Sequence, residues 1–134
     1  MCRFQPIGLL LFFVSTLSGC CCPPVMAARE AAKRAQSTNN MHQLGIAMHR
    51  YKATEGQGWP AALDELEPYV SDQFETLMTN PVTLYYPGYD YVPPVDSPNA
   101  ASAVVLYQLR NGQRDLSLDV LYGDGHVGPA PGAP

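Results

Sequence analysis

The chain has 134 residues, enough for one domain and too few for two of ordinary size with separate cores. Its 46% hydrophobic and 15% charged content excludes a disordered polyampholyte, and 13 prolines with 11 glycines predict a small, loop-rich globular fold. The net charge of −4 is uneven: Pro23 to Lys52 carries five basic residues and one acid, whereas Ala53 to the end carries two basic residues and eleven acids. A mainly acidic body repels nucleic acid phosphates, so no nucleic acid partner is expected.

All four cysteines, Cys2, Cys20, Cys21 and Cys22, precede Pro23, so none can staple the body or form a spaced metal knuckle. They sit in an address segment. Arg3 supplies a positive charge, Ile7 to Leu17 an apolar stretch, and Leu17-Ser18-Gly19-Cys20 a small-residue cleavage site. As a helix that stretch spans ~16 Å against a hydrocarbon core of ~30 Å, which favours cleavage over a permanent span. Leu-Ser-Gly-Cys resembles a bacterial lipobox. The resemblance implies that the Cys20 thiol receives a diacylglyceryl group and becomes the first mature residue. An ordinary secretory signal and an uncut signal anchor are the alternatives. The expected organisation is a signal peptide over 1–19, a lipid-anchored tether over 20–24, a folded domain over 25–127 and a disordered tail over 128–134. Pro23-Pro24 is expected to hold the tether extended.

From Val25 to about Thr54 strong helix formers run without proline, and only Gly45 interrupts them. At 100° per residue Met41, Leu44, Met48 and Tyr51 fall within a sector of about 80°, the stripe of a helix half that packs on a core. In the first half Ala28, Ala31, Ala32 and Ala35 form a different stripe, away from Arg29, Lys33 and Arg34, so this half is expected to project. The alanines, with His42 and His49, make a candidate interaction surface. The two histidines are seven residues apart, ~10.5 Å along the axis, too far to share a metal ion. Ser37 to Asn40 is a weak patch where Ser37 or Asn39 offers an N-cap to a separate second helix.

The stretch AREAAKRAQSTNNMHQLGIAMHRY, Ala28 to Tyr51, resembles the segment after the membrane helix in planctomycete prepilin-type proteins, which have a pseudopilin-like fold. That family closes on His, nine residues, then Asp-Gly. Leu118 to Val127, with Asp124, Gly125 and His126, is similar to the Asp-Gly end, but the position ten places before Asp124 is Arg114 and not His. The front also departs from the family, since the lipobox and Pro23-Pro24 stand where a prepilin peptidase site and an apolar half-helix would be. The resemblance implies an α+β head with one long amino-terminal helix on a small antiparallel sheet, without implying polymerisation.

Beyond the helix, Gly56-Gln57-Gly58 is a stop, and Trp59-Pro60 opens a two-turn helix over Ala61 to Glu67, with Leu63 and Leu66 inward and Pro68 ending it. Glu65, Glu67, Asp72 and Glu75 read as its solvated side. Val82 to Val92, with four tyrosines around Pro87-Gly88, predicts two short strands joined by a turn. Ala103 to Leu109, Asn111-Gly112 and Leu116 to Tyr122 predict a hairpin, followed by a Gly123-Asp124-Gly125 turn and a last short strand at His126-Val127. From Gly128 the proline-rich tail is expected to form no ladder.

No nucleophile elbow, Walker loop or HExxH motif is present, so a non-catalytic role is expected, with no resident cofactor. The strongest constellation for chemistry is Asp119, Asp124 and His126 at one strand end, where the pseudopilin resemblance implies Asp119 and Asp124 as candidate Ca²⁺ ligands, since some major pseudopilins carry a calcium site in their carboxyl-terminal loops. Two carboxylates fall short of the six to eight oxygens Ca²⁺ takes. The leading expectation is a bacterial envelope lipoprotein, exported and membrane-anchored through acylated Cys20. Its head would be an assembly or protein-interaction component related to type II secretion or pilus-type systems, with envelope or pseudopilin-like partners. The alternative is a small lipid-anchored calcium-binding or hydrolytic protein.

Overall fold

The computed structural model describes residues 23–56, 58–70, 73–94 and 99–133. It is an α+β fold in which one long helix crosses a small antiparallel sheet. Helix α1 spans Pro23–Glu55, 33 residues without a break. Pro23 and Pro24 belong to its first turn and not to an extended tether, because first-turn residues have no intrahelical acceptor for the N–H that proline lacks. Lys52 sits in the last turn, where a cation meets the negative end of the helix, and Gly56 closes it at φ +65° with its N–H on the Lys52 carbonyl.

The expected stripe is observed. Met41, Leu44 and Met48 are fully buried and Tyr51 is half-buried beside them. The first half carries no core: Val25 to Gln36 is exposed apart from half-buried Lys33. The weak patch at Ser37 to Asn40 starts no second helix. Ser37 and Asn40 are buried and bond across the fold, the Ser37 hydroxyl to Gln108 Oε1 (2.8 Å) and Asn40 Nδ2 to the Leu77 carbonyl (3.4 Å), while Asn39 is exposed within the unbroken helix, so neither Ser37 nor Asn39 starts a new one.

After α1 the chain forms a 3₁₀ segment, Leu63–Tyr69, that runs through Pro68 rather than stopping at it, with Leu63 and Leu66 buried as their spacing predicts. Helix α2, Phe74–Met78, is a single turn too short for its periodicity to show in the sequence; it buries Leu77 and Met78. The tyrosine-rich stretch is not a hairpin. Residues 81–88 are a loop with a cis Tyr86–Pro87 bond, and only Tyr89–Tyr91 is a strand, β1. Asn80 replaces the expected pairing: its Oδ1 accepts from the Val82 and Thr83 N–H groups, its N–H reaches the Tyr85 carbonyl, and Leu84 N–H returns to its carbonyl. One backbone group on each of four neighbouring residues is satisfied by one asparagine, which lessens the need for a strand partner.

Strand β2, Val104–Arg110, turns at Asn111 and Gly112, both at positive φ (53° and 77°), into β3, Gln113–Arg114. This is the predicted Asn-Gly hairpin. The return strand is split, because Asp115 accepts from the Ser117 N–H and hydroxyl and folds residues 115–118 into a turn before β4, Asp119–Tyr122. Strand β5, Val127–Pro129, completes the order β1-β2-β4-β5, with β3 on β2. A register shift between Val104 and Leu106 places Val105 as an extra residue, so Val105 and Leu106 are both buried despite being neighbours.

The carboxyl-terminal tail departs from expectation. Gly128 and Pro129 pair with Val120 and Asp119, the Tyr122 hydroxyl donates to the Pro129 carbonyl (2.7 Å), and Ala130 is buried. Proline is tolerated here because β5 is an edge strand whose outer side needs no ladder donor.

Candidate functional site

The two sequence segments that carry chemistry-bearing residues meet in the fold. α1 offers one face with His42, Gly45 and His49, and the turn from Tyr122 to Val127 lies against it. Gly45 is the reason the approach is close. A Cβ there would stand 3.3 Å from Leu121 Cδ1 and 3.9 Å from Gly125 Cα, so a helix residue that costs about 1 kcal/mol in propensity opens the seat for the turn. Gly123 is equally constrained from the other side, since a Cβ would lie 2.1 Å from the Ala100 carbonyl oxygen. Its N–H donates to the Ala103 carbonyl (2.9 Å) and that of Asp124 to the Ala101 carbonyl (3.0 Å). The turn is therefore clamped between α1 and the 3₁₀ turn Ala100–Ser102.

All three histidines of the chain border this turn. His42 Nδ1–H donates to the Gly125 carbonyl (3.2 Å), which places its proton on Nδ1. His49 Nε2 lies 3.6 Å from where a Gly125 Cβ would stand, and its ring tilts against Trp59 at 5.7 Å between centroids. Lys52 Nζ sits over the same indole at 5.1 Å. His126 stacks on Tyr122 with centroids 4.2 Å apart and planes 5° from parallel, and its Nδ1–H donates to Asp124 Oδ1 (2.6 Å). The same oxygen accepts the His126 backbone N–H (3.0 Å). That backbone bond, and then the imidazole, hold the Asp124 carboxyl below its ordinary range.

The arrangement brings together some expected site residues and separates others. His42, His49, Asp124, Gly125 and His126 converge. Asp119 does not join them: it opens β4 opposite Pro129, while Asp124 follows the other end of that strand, so the grouping of Asp119, Asp124 and His126 at one strand end is corrected. Three residues of strand alone separate the two ends of β4 by about 10 Å, and Asp124 Oδ1 is already committed to His126. Among the described residues no group of three or more His, Cys, Asp or Glu is placed to hold a metal ion. Ala28, Ala31, Ala32 and Ala35 lie exposed on the free half of α1. Cys20 lies outside the described residues.

Sequence reasoning missed the roles of Gly45, Gly123, Trp59 and Tyr122. Gly45 carried a signal as an isolated glycine in an otherwise strong helical run, and Gly123 and Trp59 were legible only as a turn and a helix start. Chemically the junction is a dense set of hydrogen bonds and ring contacts in which each imidazole already has a partner, so it serves to fix the turn on the helix.

Residues 26–71, the helix from Met26 with the 3₁₀ segment, match the model of a family described as a protein of unknown function, DUF1559. No curated protein and no solved structure matches the chain. Among the described residues, no helix is long and apolar enough to cross a membrane.

Proposed function

We propose that this chain is a non-catalytic bacterial envelope lipoprotein, held to a membrane through acylated Cys20, whose pseudopilin-like head is an assembly or protein-interaction component. The observation that carries this reading is the free half of α1. Val25 to Gln36 makes three turns of helix that bury almost nothing on their own domain. Most helical stability in proteins comes from packing of one face, and this extension of α1 packs none of its own. Its exposed alanines allow a partner's backbone to come close, and α1 starts only three residues after Cys20. One long helix on a small antiparallel sheet supports the pseudopilin-like reading.

The test has two parts. Cys20→Ser is expected to move the protein from the membrane to the soluble fraction, and unchanged fractionation sinks the lipoprotein reading. A photo-crosslinking residue at Ala28 or Ala32 is expected to trap an envelope protein that the same probe at Glu67, on the far end of the head, does not trap. Equal yields from all three positions refute the role of the free half-helix.

A further inference from the structure

We infer that the end of the head facing the free half of α1 is a membrane-contact surface, which lays the head on anionic lipid through Leu84, Tyr86 and Leu116. The inference rests on the lipid-anchor reading above and adds the orientation of the head. Among the described residues six large hydrophobic side chains are exposed, and five of them, Val25, Met26, Leu84, Tyr86 and Leu116, lie on the free half-helix or on the loops at the end of the head beside it. The loops are placed there by contact. Arg34, the last basic residue of the free half, lines one depression of about 60 Å³ with Val82 from the first loop and Ser117 from the second. The Tyr85 hydroxyl lies 3.2 Å from where a Gly112 Cβ would stand, at the hairpin tip.

Leu84 is the sharpest signal. It is 75% exposed and held at φ +56°, a region that suits glycine and is strained for a branched apolar side chain. The hydrogen bonds of Asn80 and the Gly88 N–H to the Met78 carbonyl over-determine the loop and hold that strain. A leucine that is both strained and solvated contributes nothing to the fold, whereas at a bilayer surface an apolar tip beside a tyrosine enters the headgroup boundary favourably.

Charge points the same way. At 100° per residue Arg29 and Lys33 fall on the side of α1 that carries Asn40 and Leu44 into the head further along, so the basic side of the arm and the apolar loops open into one corner. Of the acids at that end Asp115 pairs with Arg110, Asp90 with Arg114 and Glu30 with Lys33, and Asp119 is exposed in the depression that Arg34 lines. Asp64, Glu65 and Glu67 are exposed on the 3₁₀ segment, which is bound to the last turn of α1 through the Tyr69 hydroxyl on Glu55 (2.7 Å), at the opposite end of the molecule. Anionic lipid is thus met by Arg29, Arg34 and the apolar tips, with Asp119 beside Arg34 and the acids of the 3₁₀ segment held at the far end. From Pro23 to Arg34 the helix is about 17 Å long, so an upright helix keeps the loops clear of the headgroups and a tilted one sets them down. The contact therefore specifies a tilted helix.

The test uses the full acylated chain in phosphatidylcholine vesicles with and without phosphatidylglycerol, their acyl chains carrying bromine as a fluorescence quencher. Wild-type emission comes from Trp59 at the far end and is expected to be unaffected. A Tyr86→Trp protein is expected to gain emission that is quenched and blue-shifted with anionic vesicles. Adding Leu84→Asn, which suits positive φ better than leucine, together with Leu116→Ser, is expected to abolish the quenching while the thermal midpoint is retained. Flotation of the same vesicles reads the anchor separately. A protein that floats while the Tyr86→Trp indole stays unquenched overturns this surface and leaves the anchor standing. Quenching that persists with Cys20→Ser on anionic vesicles upholds the surface and removes the anchor, and failure to float in any form overturns both.

Discussion

Replacing Gln108 by leucine isolates what holds the helix, the Asn80 loop and the sheet in one arrangement. Gln108 is 3% exposed; its Oε1 accepts from the Ser37 hydroxyl and from Asn80 Nδ2, both at 2.8 Å, and its Nε2 donates to the Asp119 carbonyl at 2.9 Å. Leucine fills much the same volume, so the loss is polar. Two of the three bonds have recourse: the Ser37 hydroxyl turns toward the Tyr89 hydroxyl 3.5 Å away, and the carbonyl of exposed Asp119 takes water. Their loss costs about 1 kcal/mol each. Asn80 is fully buried and its Nδ2 keeps no partner, adding about 1–3 kcal/mol. The expected total of about 3–5 kcal/mol is a large share of the roughly 5–15 kcal/mol that holds a domain folded. Urea unfolding followed by circular dichroism reads it as a lower midpoint at unchanged slope. In the Gln108→Leu background, Ser37→Ala should cost less than in wild type, because its main acceptor is already gone. A Gln108→Leu protein within about 0.5 kcal/mol of wild type, well inside the ordinary range for surface substitutions, refutes the network as a source of stability.

Gly123→Ala should destabilise by about 2–3 kcal/mol, because the methyl group collides with the Ala100 carbonyl and the two clamping bonds of the turn are lost, whereas Gly56→Ala, at φ +65° with nothing nearby, should cost about 1 kcal/mol; thermal melts rank the two. The Asp124 carboxyl lies below its ordinary range when folded, so its stabilising contribution is present above the unfolded value of about 3.9 and is lost as pH falls through the folded one. Asp124→Asn should therefore flatten the fall in stability between near-neutral and strongly acid pH, and an unchanged slope across that window contradicts the pairing with His126. Leu84→Gly should raise stability by roughly 0.5–1 kcal/mol by relieving the positive φ, read as a higher urea midpoint.

Legibility followed the range of the interactions. The apolar stripe of α1 is written in spacings of three and four residues, and the Asn111-Gly112 hairpin in one dipeptide whose positive φ values the structure repeats. Helix and turn chemistry are settled within a few residues, so local sequence suffices. Ser37 and Asn40, by contrast, look like helix breakers until their partners at Gln108 and Leu77 are known. The tyrosine-rich stretch has strand composition, but a single buried asparagine satisfies one backbone group on each of four of its residues and lessens the need for a strand there. At the candidate site the two halves were each visible, the histidines on one helix face and the Asp-Gly-His turn, while their meeting was not. The His42–Gly125 bond spans 83 residues of sequence, and no local spacing encodes it.

From the sequence alone came one domain, a projecting basic half-helix ahead of an acidic body, and cysteines confined to the first 22 residues. These are properties of composition and short-range periodicity, and they hold whatever the chain packs against. Tertiary structure alone decided that Pro129 pairs as an edge strand, that Asp119 stands apart from Asp124, and that Gly45 is the seat of a turn rather than a weak point in a helix. Each depends on which backbone comes within a few ångströms of which other, a property that folding supplies by closing loops of tens of residues and that no short window of sequence contains.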